Sequence, residues 1–318
     1  MIITNFSHNH IQEALILAKS NYEEERRHVP VLPAIDTLPG LADFADNNLG
    51  VAAFEAGRMI GFLCFYKPWN NAFTTKARGT FSPVHAHGAV CENREAIYKH
   101  LYQAAAEKLM QEGVASHSIG LYAHDTQAVC AFYTYGFGLR CMDAIRPMEE
   151  IECTPCEGYS FLELASHERK KLLTLKNMLL EHLGKSPAFM YHRPITEAEL
   201  DTIHDIRQSR YFCAFKGELL TAFIEVTDSG ENFTCDDSSM KNICGAFCLP
   251  DHRGKGVYQN LLNFTISVLK NDSCTRLGVD FESINPTAYG FWLKYFTAYT
   301  QSVVRRIDEN IMEVDREL

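Results

Sequence analysis

The chain has 318 residues, more than one hydrophobic core usually organises, so two domains are expected. Its formal net charge of −10 argues against a general affinity for phosphate backbones, and 46% hydrophobic against 22% charged residues argues against extended disorder. No apolar run reaches the roughly 20 residues that span a bilayer. Eleven cysteines without an even framework, and with no charged-then-apolar leader ahead of them, fit a reducing cytoplasm.

In chain order, the first half opens with a strand over Ile2 to Phe6 and a helix with apolar positions Ile11, Ala14, Leu15 and Ala18, for which Asn9 is the candidate cap. Val51 to Phe54 and Met59 to Tyr66 read as a hairpin turning at Gly57. A strand at Ala77 to Phe81 stops at Pro83, and Ile97, Leu101, Ala105 and Leu109 line one face of a helix closed by Gly113. A strand at Ile119 to Tyr122, a short helix from Ala128 to Tyr135 and a strand from Leu139 to Ile145 complete this half.

The second half repeats the order. A strand at Tyr159 to Leu164 precedes a helix carrying Leu172, Leu175, Leu179 and Leu183, and Thr196 with Glu199 forms the capping box of the next. Strands at Tyr211 to Phe215 and Leu219 to Val226 flank Gly217, and a polar, mobile segment is expected from Thr227 to Lys241. The strand Ile243 to Leu249, a glycine loop, the helix Tyr258 to Lys270, the strand Leu277 to Phe281 and the helix Ala288 to Tyr295 end the series. Gly57 and Gly217, Ala128 and Ala288, and Arg146 and Arg306 each stand 160 residues apart, which with the matching order of elements suggests duplication. A segment without apolar periodicity, 149–158, marks the boundary, giving domains over 1–150 and 159–318.

The chemistry concentrates at Pro250-Asp251-His252-Arg253-Gly254-Lys255-Gly256-Val257-Tyr258, a glycine loop between strand and helix. A helix start leaves amide N–H groups without intrahelical partners and carries partial positive charge, so it can hold a phosphate that glycines allow to come close. The run is neither Gly-x-x-x-x-Gly-Lys-Ser/Thr nor Gly-x-Gly-x-x-Gly.

Pro-x-x-Arg-Gly-x-Gly after an apolar strand and before Leu261-Leu262 resembles the acetyl-CoA signature of the GNAT superfamily of N-acetyltransferases. Asn285, Ala288, Phe291 and Trp292 follow in the order of that superfamily's Asn-x-x-Ala-x-x-aromatic segment. The resemblance implies an α/β (α+β) fold of two tandem GNAT-like domains, each a mixed, mostly antiparallel sheet flanked by helices. It implies acetyl-CoA as cofactor, with Phe247, Cys248 and Leu249 along the pantetheine arm, Asn285 bonded to it, and Arg253, Gly254, Lys255, Gly256, Val257 and Tyr258 around the diphosphate. Tyr258 departs from the usual small residue, and Trp292 stands where many members carry a Tyr that protonates the thiolate.

The first half lacks Arg-Gly-x-Gly. Gly79 to Pro83 resembles Gly245 to Pro250, with seven extra residues before Ile97, so the first domain reads as degenerate. His85, His87 and Gly88 are its remaining candidates for ligand binding, while His85-Ala86-His87 with Cys91 and Cys153-Thr154-Pro155-Cys156 are weak metal or redox patterns, and no metal is expected.

Acetyl transfer to an amine requires deprotonation of an ammonium and benefits from protonation of the departing thiolate. On the alternating strand Gly278 to Glu282, Glu282 is the preferred base, Asp280 reads as a solvated or paired carboxylate, and Glu225 is a candidate acceptor-binding group. Tyr289 and Tyr295 are the candidate acids. The expected acceptor is a primary amine of a small molecule or peptide, with no nucleic-acid or membrane partner and homodimerisation left open. The competing expectation is a module that senses acyl-CoA or another ligand without turnover.

Overall fold

The computed structural model describes residues 1–308 and 310–311. The chain divides into two compact units, Met1–Met142 together with the segment that begins at Ala298, and Asp143–Thr297. The sequence pattern sets the divide at 149–158 and keeps the C-terminal stretch with the second domain. In the structure the divide falls inside a strand, and the last strand belongs to the first unit.

The first unit runs β1 (Ile2–Asn5), α1 (Ile11–His28), α2 (Ala42–Asp46), β2 (Val51–Glu55), β3 (Arg58–Leu63), β4 (Gly79–Ser82), β5 (His87–Ala89), α3 (Arg94–Gln111), β6 (Ser116–Tyr122) and α4 (Thr126–Thr134). One sheet has the order β1-β2-β3-β5, and β4 pairs parallel with β6. Ser7, rather than Asn9, caps the chain's first helical turn, a 3-10 turn at His8–His10 that leads into α1. The sequence pattern misses β5, a three-residue strand without turn residues around it. α3 buries Ile97, Tyr98, Leu101, Tyr102, Ala105 and Leu109, the one-face spacing of an amphipathic helix.

β7 (Gly138–Pro147) passes the border, and its end lies beside β12 of the second unit. The second unit continues with β8 (Ser160–Leu164), α5 (Leu173–Gly184), α6 (Glu197–Arg207), β9 (Arg210–Lys216), β10 (Leu219–Thr227), β11 (Met240–Cys248), α7 (Val257–Asn271), β12 (Arg276–Glu282) and α8 (Pro286–Tyr295). Its strands follow the order β7-β12-β11-β10-β9-β8. Thr196 caps α6 through the expected box with Glu199. The stretch expected to be polar and mobile instead holds a 3-10 turn, Phe233–Asp236, that buries Phe233, Thr234 and Cys235.

The sequence pattern also misses β13 (Thr297–Arg306), whose polar Thr300, Gln301 and Ser302 obscure a buried Tyr299 and Val303. β13 pairs antiparallel with β6, from Thr300 opposite Tyr122 to Arg306 opposite Ser116. The units share an order of elements, except that β4 and β5 of the first stand where the second has β11 alone, and each draws its final strand from the other half of the sequence. No helix among the described residues is long and apolar enough to cross a membrane, and no disulfide joins their cysteines.

Candidate active site

The second unit contains a gap in its sheet. β11 pairs parallel with β12 from Met240 opposite Arg276 to Ile243 opposite Val279, and there the ladder ends. On the other side β11 stays bonded to β10 as far as Cys248, with a register shift that leaves Cys244 as an extra residue between Val226 and Glu225. Such a bulge bends its strand. β11 therefore turns away from β12 beyond Ile243, and Cys244 to Cys248 are no longer laddered to β12.

The far end of the gap meets the start of α7. Gly254 and Gly256 have φ of +70° and +77°, a conformation that costs an L side chain about 1–2 kcal/mol, and a Cβ on Gly254 would meet open space. The first helical bond of α7 runs from the Asn260 N–H to the Gly256 carbonyl at 3.0 Å. The amides of Val257, Tyr258 and Gln259 thus precede the helical ladder, at the positive end of the helix dipole. Arg253 donates from Nε to the Cys248 carbonyl at 2.9 Å and lies over the Phe247 ring, so its guanidinium is held at the same place.

A cleft of about 310 Å³ joins these features, walled by Ala246, Phe247 and Cys248 of β11, Arg253 and Gly254 of the loop, and Asn285 and Trp292 of the α8 region. Asn285 caps α8: its Oδ1 accepts from the Thr287 hydroxyl at 2.7 Å and the Thr287 N–H at 3.3 Å. Tyr258 reaches the cleft wall with its ring, packs edge-on against Phe291 and Trp292, and donates its hydroxyl proton to the Phe223 carbonyl at 3.3 Å. Its bulk therefore lies beside the amides rather than over them.

Other candidates fall elsewhere. Leu249 packs in the core beside Phe247, Lys255 is exposed, and Val257 is buried on the core face of α7, leaving only its backbone to the cradle. Gly256 contributes conformation at the helix cap. Tyr289 is exposed and edges against Phe281, while Tyr295 packs against Phe291; neither is on the cleft wall. Glu282 lies at the end of β12, off that wall, as does Asp280 two residues before it.

Leu179 and His182 of α5 are wall residues that sequence reasoning did not place there. His182 Nε2 lies 3.4 Å from Asn285 Oδ1, and its ring meets Phe247 edge-on. The three-residue spacing from the inward-facing Leu179 was the available signal, since i and i+3 share a helix face. His252 also joins the wall, with Nδ1 2.7 Å from the Tyr159 hydroxyl.

Deeper in, Glu225 is almost wholly buried and its Oε2 accepts from Lys176 Nζ at 2.5 Å. Burial pushes the Cys244 thiol up to about 12, with Glu225 next in effect, and burial pushes Cys248 up to about 11. Both therefore remain thiols at neutral pH.

In the first unit the β4–β6 ladder likewise ends, at Ser82 opposite Ile119, and β5 pairs with β3, but a side chain spans the opening. His87 is buried between β5 and β6, with Nδ1 2.9 Å from the Tyr98 hydroxyl and Nε2 2.6 Å from the Gly120 carbonyl. Its pKa is lowered by burial, and His85 is lowered to about 4 for the same reason. No group of three His, Cys, Asp or Glu that could hold a metal occurs among the described residues.

Residues 177–296 match the acetyltransferase (GNAT) family. The chain carries a GNAT domain. A comparison with curated proteins returns no match. Among solved structures, a GCN5-related N-acetyltransferase from Sphaerobacter thermophilus aligns with a TM-score of 0.58 at 9% identity, covering 96% of this chain and 95% of that one. A GCN5-related glucosamine N-acetyltransferase region of a fungal multi-domain β-N-acetylglucosaminidase aligns at 0.52 and 12% identity, covering 95% of this chain and 38% of that one. A tandem GNAT protein from the clavulanic acid pathway aligns at 0.48 and 11% identity, covering 96% and 98%. At these identities the likeness concerns the fold, which is that of GCN5-related N-acetyltransferases over nearly the whole chain.

Proposed function

We propose that the second unit transfers an acetyl group from acetyl-CoA to a primary amine of a small molecule or peptide, by direct attack with both substrates bound. The observation that carries this reading is the opening of the β11–β12 ladder beyond Ile243 and Val279, continuous with the left-handed glycines ahead of α7. A slot with apolar walls ending at a cluster of unladdered amides suits a slender polar-backboned arm tipped by a diphosphate. Acetyl-CoA would supply the acetyl group as an activated thioester.

The chain's own residues have distinct parts. The amides of Val257 to Gln259, with Arg253, would hold the diphosphate, and Gly254 and Gly256 let it approach. Phe247 and Trp292 exclude water from the arm, and Asn285, whose oxygen is taken by the α8 cap, offers its amide N–H groups. Neither Cys244 nor Cys248 is a thiolate at neutral pH, which favours direct attack over an acyl-enzyme.

Calorimetry with acetyl-CoA tests the reading: one molecule bound per chain is expected, and no binding would overturn it. A second reading, acyl-CoA sensing without turnover, is favoured by one feature: the tyrosine hydroxyl at the cleft, that of Tyr258, is committed to the Phe223 carbonyl. Release of free thiol with a panel of primary amines separates the two, since a sensor binds acetyl-CoA and releases none.

A further inference from the structure

The vertex of the gap is built from polar side chains that two glycines make room for. A Cβ on Gly278 would lie 2.4 Å from Asn242 Oδ1, and one on Gly245 would lie 2.7 Å from Glu225 Oε2. Side chain at either position would displace its neighbour. Asn242 consequently lies across β12 and donates from Nδ2 to Asp280 Oδ1 at 2.8 Å. Asp280 is the first residue of β12 past the last ladder pair, and Glu225 stands opposite Gly245 on β10. Phe247, on the cleft wall, is two residues from Gly245, or about 7 Å along a strand. An arm entering from the α7 cradle and following β11 would thus bring its end to this vertex.

We infer that Asp280, held by Asn242, is the catalytic base that removes the proton from the acceptor's ammonium group. This rests on the acyl-transfer reading above. The proton passes from the acceptor nitrogen to an Asp280 oxygen, and the nitrogen lone pair so released forms the bond to the thioester carbonyl carbon. As the carbon–sulfur bond breaks, sulfur keeps its electron pair and takes the second nitrogen proton, giving amide and free thiol, and Asp280 returns its proton to water.

The surroundings of Asp280 suit the task. Burial pushes its carboxyl up to about 7, with Asp143 of β7 and Glu231 of the loop before Phe233 adding to the rise. The Asn242 hydrogen bond and Arg207 of α6 act in the opposite sense. Cys244, the remaining titratable neighbour on β11, is a neutral thiol, and Glu225 beyond it is paired with Lys176. A base titrating near the working pH exchanges protons with an ammonium far better than an ordinary carboxylate. Glu282, the base expected from sequence, is two residues further from the vertex and lacks the Asn242 contact.

The experiment compares wild type with Asp280→Asn and Glu282→Gln. Acetyl-CoA binding is measured by calorimetry, and kcat/KM from pH 5.5 to 9 by thiol release with a polyamine, an amino sugar and a lysine peptide as acceptors. Unchanged acetyl-CoA binding with a loss of about 10²–10⁴-fold in kcat/KM, and loss of the ascending limb near pH 7, is expected for Asp280→Asn alone. A retained limb in Asp280→Asn, or its disappearance in Glu282→Gln instead, overturns the assignment while leaving the acyl-transfer reading intact. Failure of wild type to bind acetyl-CoA sinks the parent reading and is seen separately. A carboxyl-resolved NMR titration supplies a measure that needs no acceptor: a midpoint near 7 that is missing from Asp280→Asn supports the assignment, and one in the ordinary carboxylate range overturns it.

Discussion

The two units follow one plan and treat its central gap in opposite ways. Leu63 of β3 faces His87, and Phe223 of β10, 160 residues later, faces Phe247. In the first unit the histidine bridges to β6 through the Gly120 carbonyl and closes the gap; in the second the phenylalanine lines an open cleft. Gly120 stands 160 residues before Asp280, and the buried Phe65 the same distance before Glu225. The helix start differs as well. Where the second unit has Gly254, the first has Arg94, almost buried, with its guanidinium 2.7 Å from Glu24 and 3.0 Å from Asp125. Two carboxylates there neutralise the arginine and oppose an anion. In the first unit a side chain thus satisfies a main-chain carbonyl at the opening, where the second unit leaves a cleft.

The largest expected effect comes from breaking the ion pair that has no counterpart in the first unit. Lys176→Ala leaves Glu225 buried without its ion-pair partner, and is expected to cost about 3–5 kcal/mol, read as a fall in denaturant midpoint. Next, Gly254→Asp combined with Gly256→Asp places charge and backbone strain in the cradle and should weaken acetyl-CoA binding about 100-fold, roughly 2.7 kcal/mol, by calorimetry. An acidic change at the cap of α3, Asn93→Asp, should leave both affinity and the single binding site unchanged. His87→Ala strands the Gly120 carbonyl and the Tyr98 hydroxyl, at a cost of about 1–3 kcal/mol in chemical denaturation, without creating a second acetyl-CoA site.

A further expected effect concerns pH. Asp280 is raised from 3.8 to about 7 in the folded chain, so between those values the folded state binds more protons than the unfolded one. Stability contributed by this group is therefore complete below about pH 4 and is lost as pH rises through 7. Asp280→Asn escapes that loss. It should match wild type at pH 4 and exceed it at pH 8, a shift of about three units at roughly 1.4 kcal/mol each setting a scale of about 4 kcal/mol, read as a raised midpoint in a thermal melt.

Much of the second unit was legible because its signals are local. Arg253-Gly254-Lys255-Gly256 fixes a turn, Thr196 with Glu199 fixes a helix start, and Leu179 fixes the buried face of α5. Asn285 was readable from its spacing to Trp292. The vertex was not, since Asp280 looks like any carboxylate on an alternating strand until Gly278, Asn242 and Asp143 are brought around it. The correspondence between the halves around Pro83 was not legible either. β5, not the Gly79-to-Pro83 stretch, corresponds to the end of β11, so α3 starts earlier rather than after a longer loop. His87 as a plug depends on that register, which residue types alone do not reveal. β13 escaped notice because its polar positions face the interior.

The pairing of β6 with β13 has a kinetic consequence. During synthesis β6 emerges about 180 residues before its partner is complete, a delay on the order of ten seconds or more at ribosomal speeds. For that interval the nascent first unit shows a bare strand edge of seven residues, all buried once the chain is finished. Such an edge invites pairing with a neighbouring chain, so release from the ribosome, rather than the chemistry of the cleft, would set how much active protein a cell obtains.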